Sequence, residues 1–427
     1  MGNNEMIYHD MIYKRFMIQE NFLKYFQTTE VQRLRRISQS AIPPVFQSFS
    51  NAASRFEHSV GTFFLANKVC EIEDFSHLKK SLPLAALFHD IGHPPFSHLS
   101  EDIQHELTKK DHEQYAYDVL KENIRQILEE DGISFSEVTD LIEGKSCFGE
   151  VLNGSIDIDN LDNVLRFGIT TGLTERIYDP EKIALSFRVN EDKLKISKSI
   201  PEISEEIKKW KECRKIVYSY IYSDDNLRSG VLLRKALDIA LINKNISKDF
   251  LKLDDYEALK ELQKFPETEN IVSRLLLWKF PAKIVSFIVK NPSDDVKKLS
   301  DWKYRMKIED EISRETGTEI TEFGIFFQKM KIGRNIHLSY IDAIPNNNND
   351  YYDGDYHDNN KNIEMNREDD EESDWIFTAY SYKNHEKIKS EIGRIKGISE
   401  FIDNTDKRRK IVQNAAQVVK GSKNAAL

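Results

Sequence analysis

Residues 82–88 read LPLAALF, apolar nearly all round, and run without a break into His89 and Asp90. A helix with no polar face has to be buried, so the residues at its C-terminal end are delivered to the protein interior. Those residues open the run HDIGHPPFSHLSE, 89–101, with three histidines and two carboxylates in thirteen positions. Folding alone has little use for that density, whereas imidazole and carboxylate are the usual ligands of hydrolytic divalent metals. Pro94 and Pro95 bar helical continuation and push the residue before them toward extended geometry, which opens the turn so that an adjacent His and Asp can face one ion.

A chain of 427 residues with 40% hydrophobic content is long enough for one large domain with appendages, or for two domains. It contains no uninterrupted apolar run of membrane-spanning length, and MGNNEMIYHD lacks the basic start and apolar stretch of a secretory signal, so a cytoplasmic address and no membrane partner are expected. Cys70, Cys147 and Cys213 are far apart and form no CxxC pair, which argues against a disulfide framework or a thiolate zinc site. With 61 basic against 71 acidic residues, the net charge of -10 disfavours nucleic acid as a partner and leaves small anionic ligands as the better expectation.

Helical periodicity dominates the chain, with helices expected over 57–73, 82–91, 112–130, 205–222 and 226–243. Asp111 is a good N-cap and Gln114 falls at the capping-box position, so His112 is expected as the first helical residue, at an electropositive helix start. After about residue 300 the texture changes: ITEFGIFFQKM and NIHLSYIDAI are rich in β-branched and aromatic residues and suggest a small sheet. Residues 346–373 are acidic and poor in aliphatics, as expected of a surface loop, after which strand-like WIFTAYSY and helix-like NHEKIKSEIGRIKGISEFI lead to a basic helix around KRRK.

Seven of the eleven histidines lie between residues 58 and 112. His9 is a control, since it too precedes an aspartate, Asp10, yet has no other candidate residue near it in sequence; the dipeptide by itself carries no weight. For any one histidine a structural or surface role is the default. Clustering overrides that default for His58, His89, His93, His98 and His112, and leaves it standing for His77 and His105. RFEHSVGT contributes Arg55, Glu57 and His58, and SIDIDNLDNVLR contributes Asp157, Asp159 and Asp162, which taken alone would read as an ordinary acidic helix start.

Together, His58, His89-Asp90 and Asp159 have the order and spacing of the HD-domain phosphohydrolase superfamily. The longer run HDIGHPPFSHLSE, then HEQ at His112, then Asp-x-Asp, resembles the deoxynucleoside triphosphate triphosphohydrolases, the group that includes bacterial dGTPases and the animal SAM-and-HD-domain enzyme. QRLRRISQ at 32–39 and RKIVYSYIYSDDNLRSGVLLRKAL are also similar to that group, so the resemblance covers roughly residues 5–240.

The resemblance implies metal ligation by His58, His89, Asp90 and Asp159, with Asp157 a helix cap or a support to the ligands. It implies a catalytic His98–Glu101 pair that orients or activates water, and His112 as proton donor to the departing 5′-oxygen. His93 and Arg55 would hold the α-phosphate, where charge grows during in-line attack. Where the group usually carries Lys or Arg, Tyr and Asp after the metal-ligating aspartate, this chain has Asn160, Asn163 and Phe167. Asn160 is therefore expected at the phosphate and Asn163 at the sugar, with Glu30 in the place of a sugar-reading Gln. Mixed His/carboxylate ligation suits one divalent ion of Mn, Fe, Co, Ni or Zn better than a site built for Mg or Ca, although Mg can accompany the triphosphate.

The implied reaction is metal-hydroxide attack on the α-phosphorus of a deoxynucleoside triphosphate, releasing deoxynucleoside and inorganic triphosphate. In a microbial setting, depletion of these nucleotides would serve nucleotide balance or antiviral defence. Family members assemble as oligomers with regulatory nucleotides at subunit contacts, so a homo-oligomer activated by a nucleotide at an interface is the corresponding expectation. Two alternatives stand beside it: an HD hydrolase acting on another nucleotide phosphate ester, and a nucleotide-sensing module without turnover. The fold expected is mainly α: an HD-domain helical core over 1–300, a small α+β lobe over 301–345, the acidic loop over 346–373, and a C-terminal strand and helical extension over 374–427.

Overall fold

The computed structural model describes residues 5–47, 53–331, 338, 340–341 and 374–398. Within them the chain is mainly α-helical with three small sheets, in keeping with the fold class read from the sequence. It opens on an antiparallel hairpin of β1 (Met6–Asp10) and β2 (Lys14–Ile18). Helix α1 (Arg55–Val69) begins at Ser54, which forms a capping box with Glu57; caps of this kind contribute about 1 kcal/mol. Glu57 is thereby committed to the helix start. Helix α2 (Ser81–Phe88) is buried at every position, as its apolar sequence requires, and ends with Phe88 so that His89 and Asp90 lie in the turn after it.

Helix α3 (Glu101–Thr108) comes after the proline turn, and α4 (His112–Asn123) starts at His112 with the Asp111–Gln114 capping box in place. The helix expected to run to residue 130 is interrupted at Ile124, whose φ of -117° separates α4 from the short helix Arg125–Glu130. Helix α5 (Ile158–Thr170) is capped by Asp157, whose carboxylate accepts from the Asn160 amide at 2.6 Å. Helices α1, α2 and α5 share one core, with Phe56, Val60, Leu84, Leu87, Leu161 and Leu165 all at 2% exposure or less. That shared core is what brings the three histidine- and aspartate-bearing segments to one point.

A second hairpin, β3 (Phe187–Asn190) and β4 (Lys193–Ser197), precedes the long helices α6 (Ile203–Ile221) and α7 (Asp224–Ile242) and the shorter α8 (Asp255–Leu262). The sheet-bearing lobe starts before the change of texture at residue 300, because its first strand is β5 (Ala282–Lys290). Helix α9 (Trp302–Thr316) and β6 (Phe323–Lys329) come next. From NIHLSYIDAI, β7 (Tyr340–Ile341) joins the β3–β4 hairpin in parallel with β4 and takes no part in the lobe. β8 (Asp374–Ser381) is the central strand of the antiparallel sheet β5–β8–β6, and it is nearly continuously apolar because both of its faces are covered. One face packs on α9 and α10 (His385–Ile392) through Ile312, Phe377 and Ile388, and the other meets α7 through Val231, Phe326 and Tyr380. The acidic segment 346–373 and the basic KRRK segment lie outside the described residues. Among the described residues no helix is long and apolar enough to cross a membrane.

Candidate active site

His89 and Asp90 leave α2, His58 comes from the first turn of α1, and Asp159 from the first turn of α5; all four converge. His58 Nε2 lies 2.8 Å from Asp159 Oδ1, 3.2 Å from His89 Nε2 and 3.8 Å from Asp90 Oδ2. His89 Nε2 is 3.5 Å from Asp90 Oδ1 and 3.8 Å from Asp159 Oδ1. Ligands at about 2.1 Å from one ion are about 3.0–3.5 Å from each other in octahedral or tetrahedral arrangement; the 3.2 and 3.5 Å separations fall in that range and the 2.8 and 3.8 Å ones lie just outside it. His58, His89 and Asp90 are all buried and can hold a divalent metal, and Asp159 closes on the same point.

The electrostatics agree with a site built for a cation. Burial alone would lower the His58 pKa, yet contacts with Asp159 and Asp162 outweigh it and lift the value to about 10. Burial opposes ionisation of Asp90, but Arg55, His89 and His93 hold its carboxyl well below the usual range. His89 Nδ1 is 2.8 Å from the Ala86 carbonyl oxygen, a contact that fixes the ring and leaves Nε2 facing the cluster.

Behind His58 runs a buried chain of supports. His58 Nδ1 is 2.8 Å from Asp162 Oδ1, Arg166 clamps Asp162 through Nε and NH2 at 2.8 Å each, and Arg166 NH1 reaches Asp10 Oδ2 at 2.8 Å. Gly61 makes room for it, since a Cβ there would sit 2.0 Å from Asp162 Oδ2. The His9-Asp10 dipeptide, isolated in sequence, is thus not isolated in space: Asp10 stands two side chains behind a candidate ligand. Asp10→Asn should weaken metal affinity by about 10- to 100-fold, as losses of groups that orient ligands do. Competition with a chelator would read this directly, and unchanged affinity would show that the chain of contacts does not reach the metal.

The second group lies beside the first. Glu101 Oε1 is hydrogen-bonded to His98 Nδ1 at 2.8 Å and lies 2.7 Å from His112 Nδ1, an ion-pair contact outside hydrogen-bonding geometry, so one carboxylate oxygen faces both imidazoles. The His112 ring stacks on that of His93 at 4.0 Å between centroids. This close approach depends on Gly92, where a Cβ would meet the His112 carbonyl oxygen at 2.0 Å and the Ala116 amide at 2.5 Å. Burial would raise the Glu101 pKa, but His98 and His112 hold it far below the carboxylate range. His112 is raised, because its contact with Glu101 outweighs burial, while the His98 side chain is exposed. His93 is pushed well down by burial and by Arg55 and His112, which favours the neutral imidazole. Both of its ring nitrogens are buried without a hydrogen bond; Nε2 sits 3.3 Å from Asp90 Oδ1, outside hydrogen-bonding geometry.

Arg55 completes the wall, with NH1 2.7 Å from Asp90 Oδ2 and Nε 2.7 Å from Ser97 Oγ. A cavity of about 70 Å³ is lined by Arg55, His89, Asp90, His93, His98, His112, Asp159 and Asn163, together with Glu113, Ile142, Leu152 and Asn153. His77 packs against Phe148 and His105 is exposed, so neither takes part.

Two residues do not follow the expectation. Glu30 lies on α-helical residues Thr29–Arg33, accepts from the Thr29 hydroxyl and does not line the cavity. Asn160 has its side-chain oxygen buried without a partner and also lies outside the cavity lining. Gln39, absent from the residues expected at the site, is buried and donates from Nε2 to Asn163 Oδ1 at 3.0 Å, while its own Oε1 has no partner. The signal for it is the QRLRRISQ segment, of which it is the last residue.

A model of the HD domain family matches residues 55–183. An uncharacterized protein of Methanocaldococcus jannaschii is 30% identical over 261 residues, covering 60% of this chain and 55% of that protein. The deoxynucleoside triphosphate triphosphohydrolase SAMHD1 homolog of Dictyostelium discoideum is 27% identical over 241 residues, 50% of this chain and 46% of the other. The chain therefore spans about half the length of these two relatives. Among solved structures, a phosphohydrolase from Bacteroides thetaiotaomicron superposes with a TM-score of 0.64 at 19% identity, over 88% of this chain and 99% of that chain. A hypothetical protein from Aquifex aeolicus gives 0.63 at 18% identity, over 91% and 99% respectively, a likeness of fold.

Proposed function

We propose, from the chain's membership of the HD-domain phosphohydrolase superfamily, that it is a metal-dependent deoxynucleoside triphosphate triphosphohydrolase that releases deoxynucleoside and inorganic triphosphate. The observation that carries this reading is that His98 and His112, both in contact with the Glu101 carboxylate, line the same cavity as His89, Asp90 and Asp159. A protein that only binds nucleotide has no need for a proton-transfer set beside its metal.

His58, His89, Asp90 and Asp159 would hold the divalent ion. Such an ion, when bound, makes a water nucleophilic near neutral pH and offsets phosphate charge. The rest falls to the chain's own groups. Arg55 and the neutral His93 face the position of the reacting phosphate, the first as a fixed positive charge and the second as a hydrogen-bonding group. His112, whose raised pKa favours the protonated form, gives a proton to the departing 5′-oxygen. His98, oriented by Glu101, accepts a proton from the attacking water. Asn163 and Gln39 form a neutral amide pair suited to a sugar hydroxyl. The cavity's 70 Å³ is well below the roughly 300–1,000 Å³ of a pocket that encloses a whole small molecule, so it matches the reacting phosphate, with the nucleoside extending past it. The same reading includes Mg with the triphosphate, a homo-oligomer and an activating nucleotide at a subunit contact.

One observation favours a second reading. Phe167, in place of a polar residue, is buried and lies 6.1 Å from the Tyr220 ring, so it offers no hydrogen bond to a sugar. A different nucleotide phosphate ester would then be the substrate. Incubating metal-loaded protein with each nucleotide singly and in pairs, and resolving the inorganic product by ion chromatography, separates the readings. Inorganic triphosphate is expected; orthophosphate or pyrophosphate would favour another ester, and no product from any pair would favour a sensing module.

A further inference from the structure

The turn that carries His93 is strained and is held from far away in the chain. Phe96 (φ 64°) and Ser97 (φ 49°) are consecutive non-glycine residues in the left-handed region. Such residues persist only where the surroundings over-determine them. Here the constraint comes from Asp255 on α8, well beyond the end of the matched HD domain. Its Oδ1 accepts from the Phe96 amide at 2.7 Å, and its Oδ2 accepts from the Ser38 amide at 2.9 Å and the Ser38 hydroxyl at 2.6 Å. Asp255 is 2% exposed, so these protein donors carry its solvation.

Ser38 then passes the constraint on. Its carbonyl accepts from Ser97 Oγ at 2.8 Å, and Ser97 Oγ accepts from Arg55 Nε at 2.7 Å. Ser38 also pairs as a β-bridge with Ser54, the residue before Arg55, and precedes Gln39. From the same side, Arg33 joins the His93 carbonyl, at 2.8 Å, to the Leu251 carbonyl at 2.9 Å, just ahead of α8.

We propose that Asp255 is a positioning residue of the active site, tying the His93 turn to the Ser38 segment so that Arg55 and His93 present one phosphate-binding wall. The proposal rests on the reading of Arg55 and His93 as the phosphate-binding pair. It makes α8, outside the HD domain proper, a working part of the site.

In Asp255→Asn, at least one of the three donors must face an amide NH2 where it now faces a carboxylate oxygen. The His93 turn should relax, with amide exchange over residues 92–97 rising and metal content unchanged. Binding of inorganic triphosphate to the metal-loaded protein should weaken, and kcat/KM should drop by about 100-fold, as small displacements of catalytic groups do. The discriminating readout is a double-mutant cycle: in an Arg55→Ala background, Asp255→Asn should cost little more, because both act on the same wall. Ser38→Ala, which removes a single donor and leaves every charge in place, should show the same non-additivity with a smaller loss, and covers the case in which Asp255→Asn does not fold. Additive losses, or unchanged exchange over residues 92–97 in folded protein, would overturn the proposal. Amide exchange needs no substrate, so a wild-type protein that hydrolyses no deoxynucleotide would contradict the proposed reaction while leaving the exchange result to decide on Asp255.

Discussion

Asp90→Asn should remove metal and activity together. Asp90 is the carboxylate on which the two halves of the site meet: one oxygen is 3.5 Å from His89 Nε2 and 3.3 Å from His93 Nε2, while the other accepts from Arg55 at 2.7 Å. Asparagine fills the same space but carries no charge, so the cation loses an anionic ligand and Arg55 loses its counter-ion in a buried setting. Such an ion, when bound, would activate water and offset phosphate charge, so its loss is expected to lower turnover by about a thousandfold or more. Elemental analysis after gel filtration checks this. Metal at the wild-type level in Asp90→Asn would sink the ligand assignment.

Glu101→Gln should have nearly as large an effect with the metal retained. The side-chain carbonyl of Gln can accept from one imidazole, but it cannot serve His98 and His112 as a shared anion. Loss of positioned acid–base groups lowers kcat by about 10²–10⁴-fold. The pH dependence gives a sharper test. His112 must be protonated to act as an acid, so activity falls as pH rises through its pKa. Contact with Glu101 raises that pKa, which places the alkaline limb of the wild-type kcat profile above the ordinary histidine value of about 6.5. Without the Glu101 charge the limb should move to lower pH. An unmoved limb would mean that His112 is not the acid, or that Glu101 does not set its pKa.

Much of this site is legible in the sequence because its signals are local. The all-apolar LPLAALF run marks a buried helix ending just before His89, and the Asp111–Gln114 capping box sets the start of α4 at His112. Convergence of His58, His89, Asp90 and Asp159 is expected from their spacing and from the family resemblance. The supports are not legible. Asp10 and Asp255 each reach the site across more than 150 residues of sequence, through contacts that exist only once the core has packed. Asp10 even sits in a dipeptide with no local feature to mark it. Glu30 fails for a related reason: a shift of alignment along this segment decides which side chain is matched to the site, and the residue bonded to the cavity-lining Asn163 is Gln39. The strands of β1–β4 are four or five residues long, too short for alternation to distinguish them from loops.

The reaction itself is tested most directly by hydrolysing a deoxynucleoside triphosphate with metal-loaded protein in water enriched in oxygen-18 and analysing both products by mass spectrometry. Attack on the α-phosphorus with departure of the 5′-oxygen predicts one labelled oxygen in inorganic triphosphate and none in the deoxynucleoside. Label in the deoxynucleoside, or release of orthophosphate or pyrophosphate in place of triphosphate, would contradict the account.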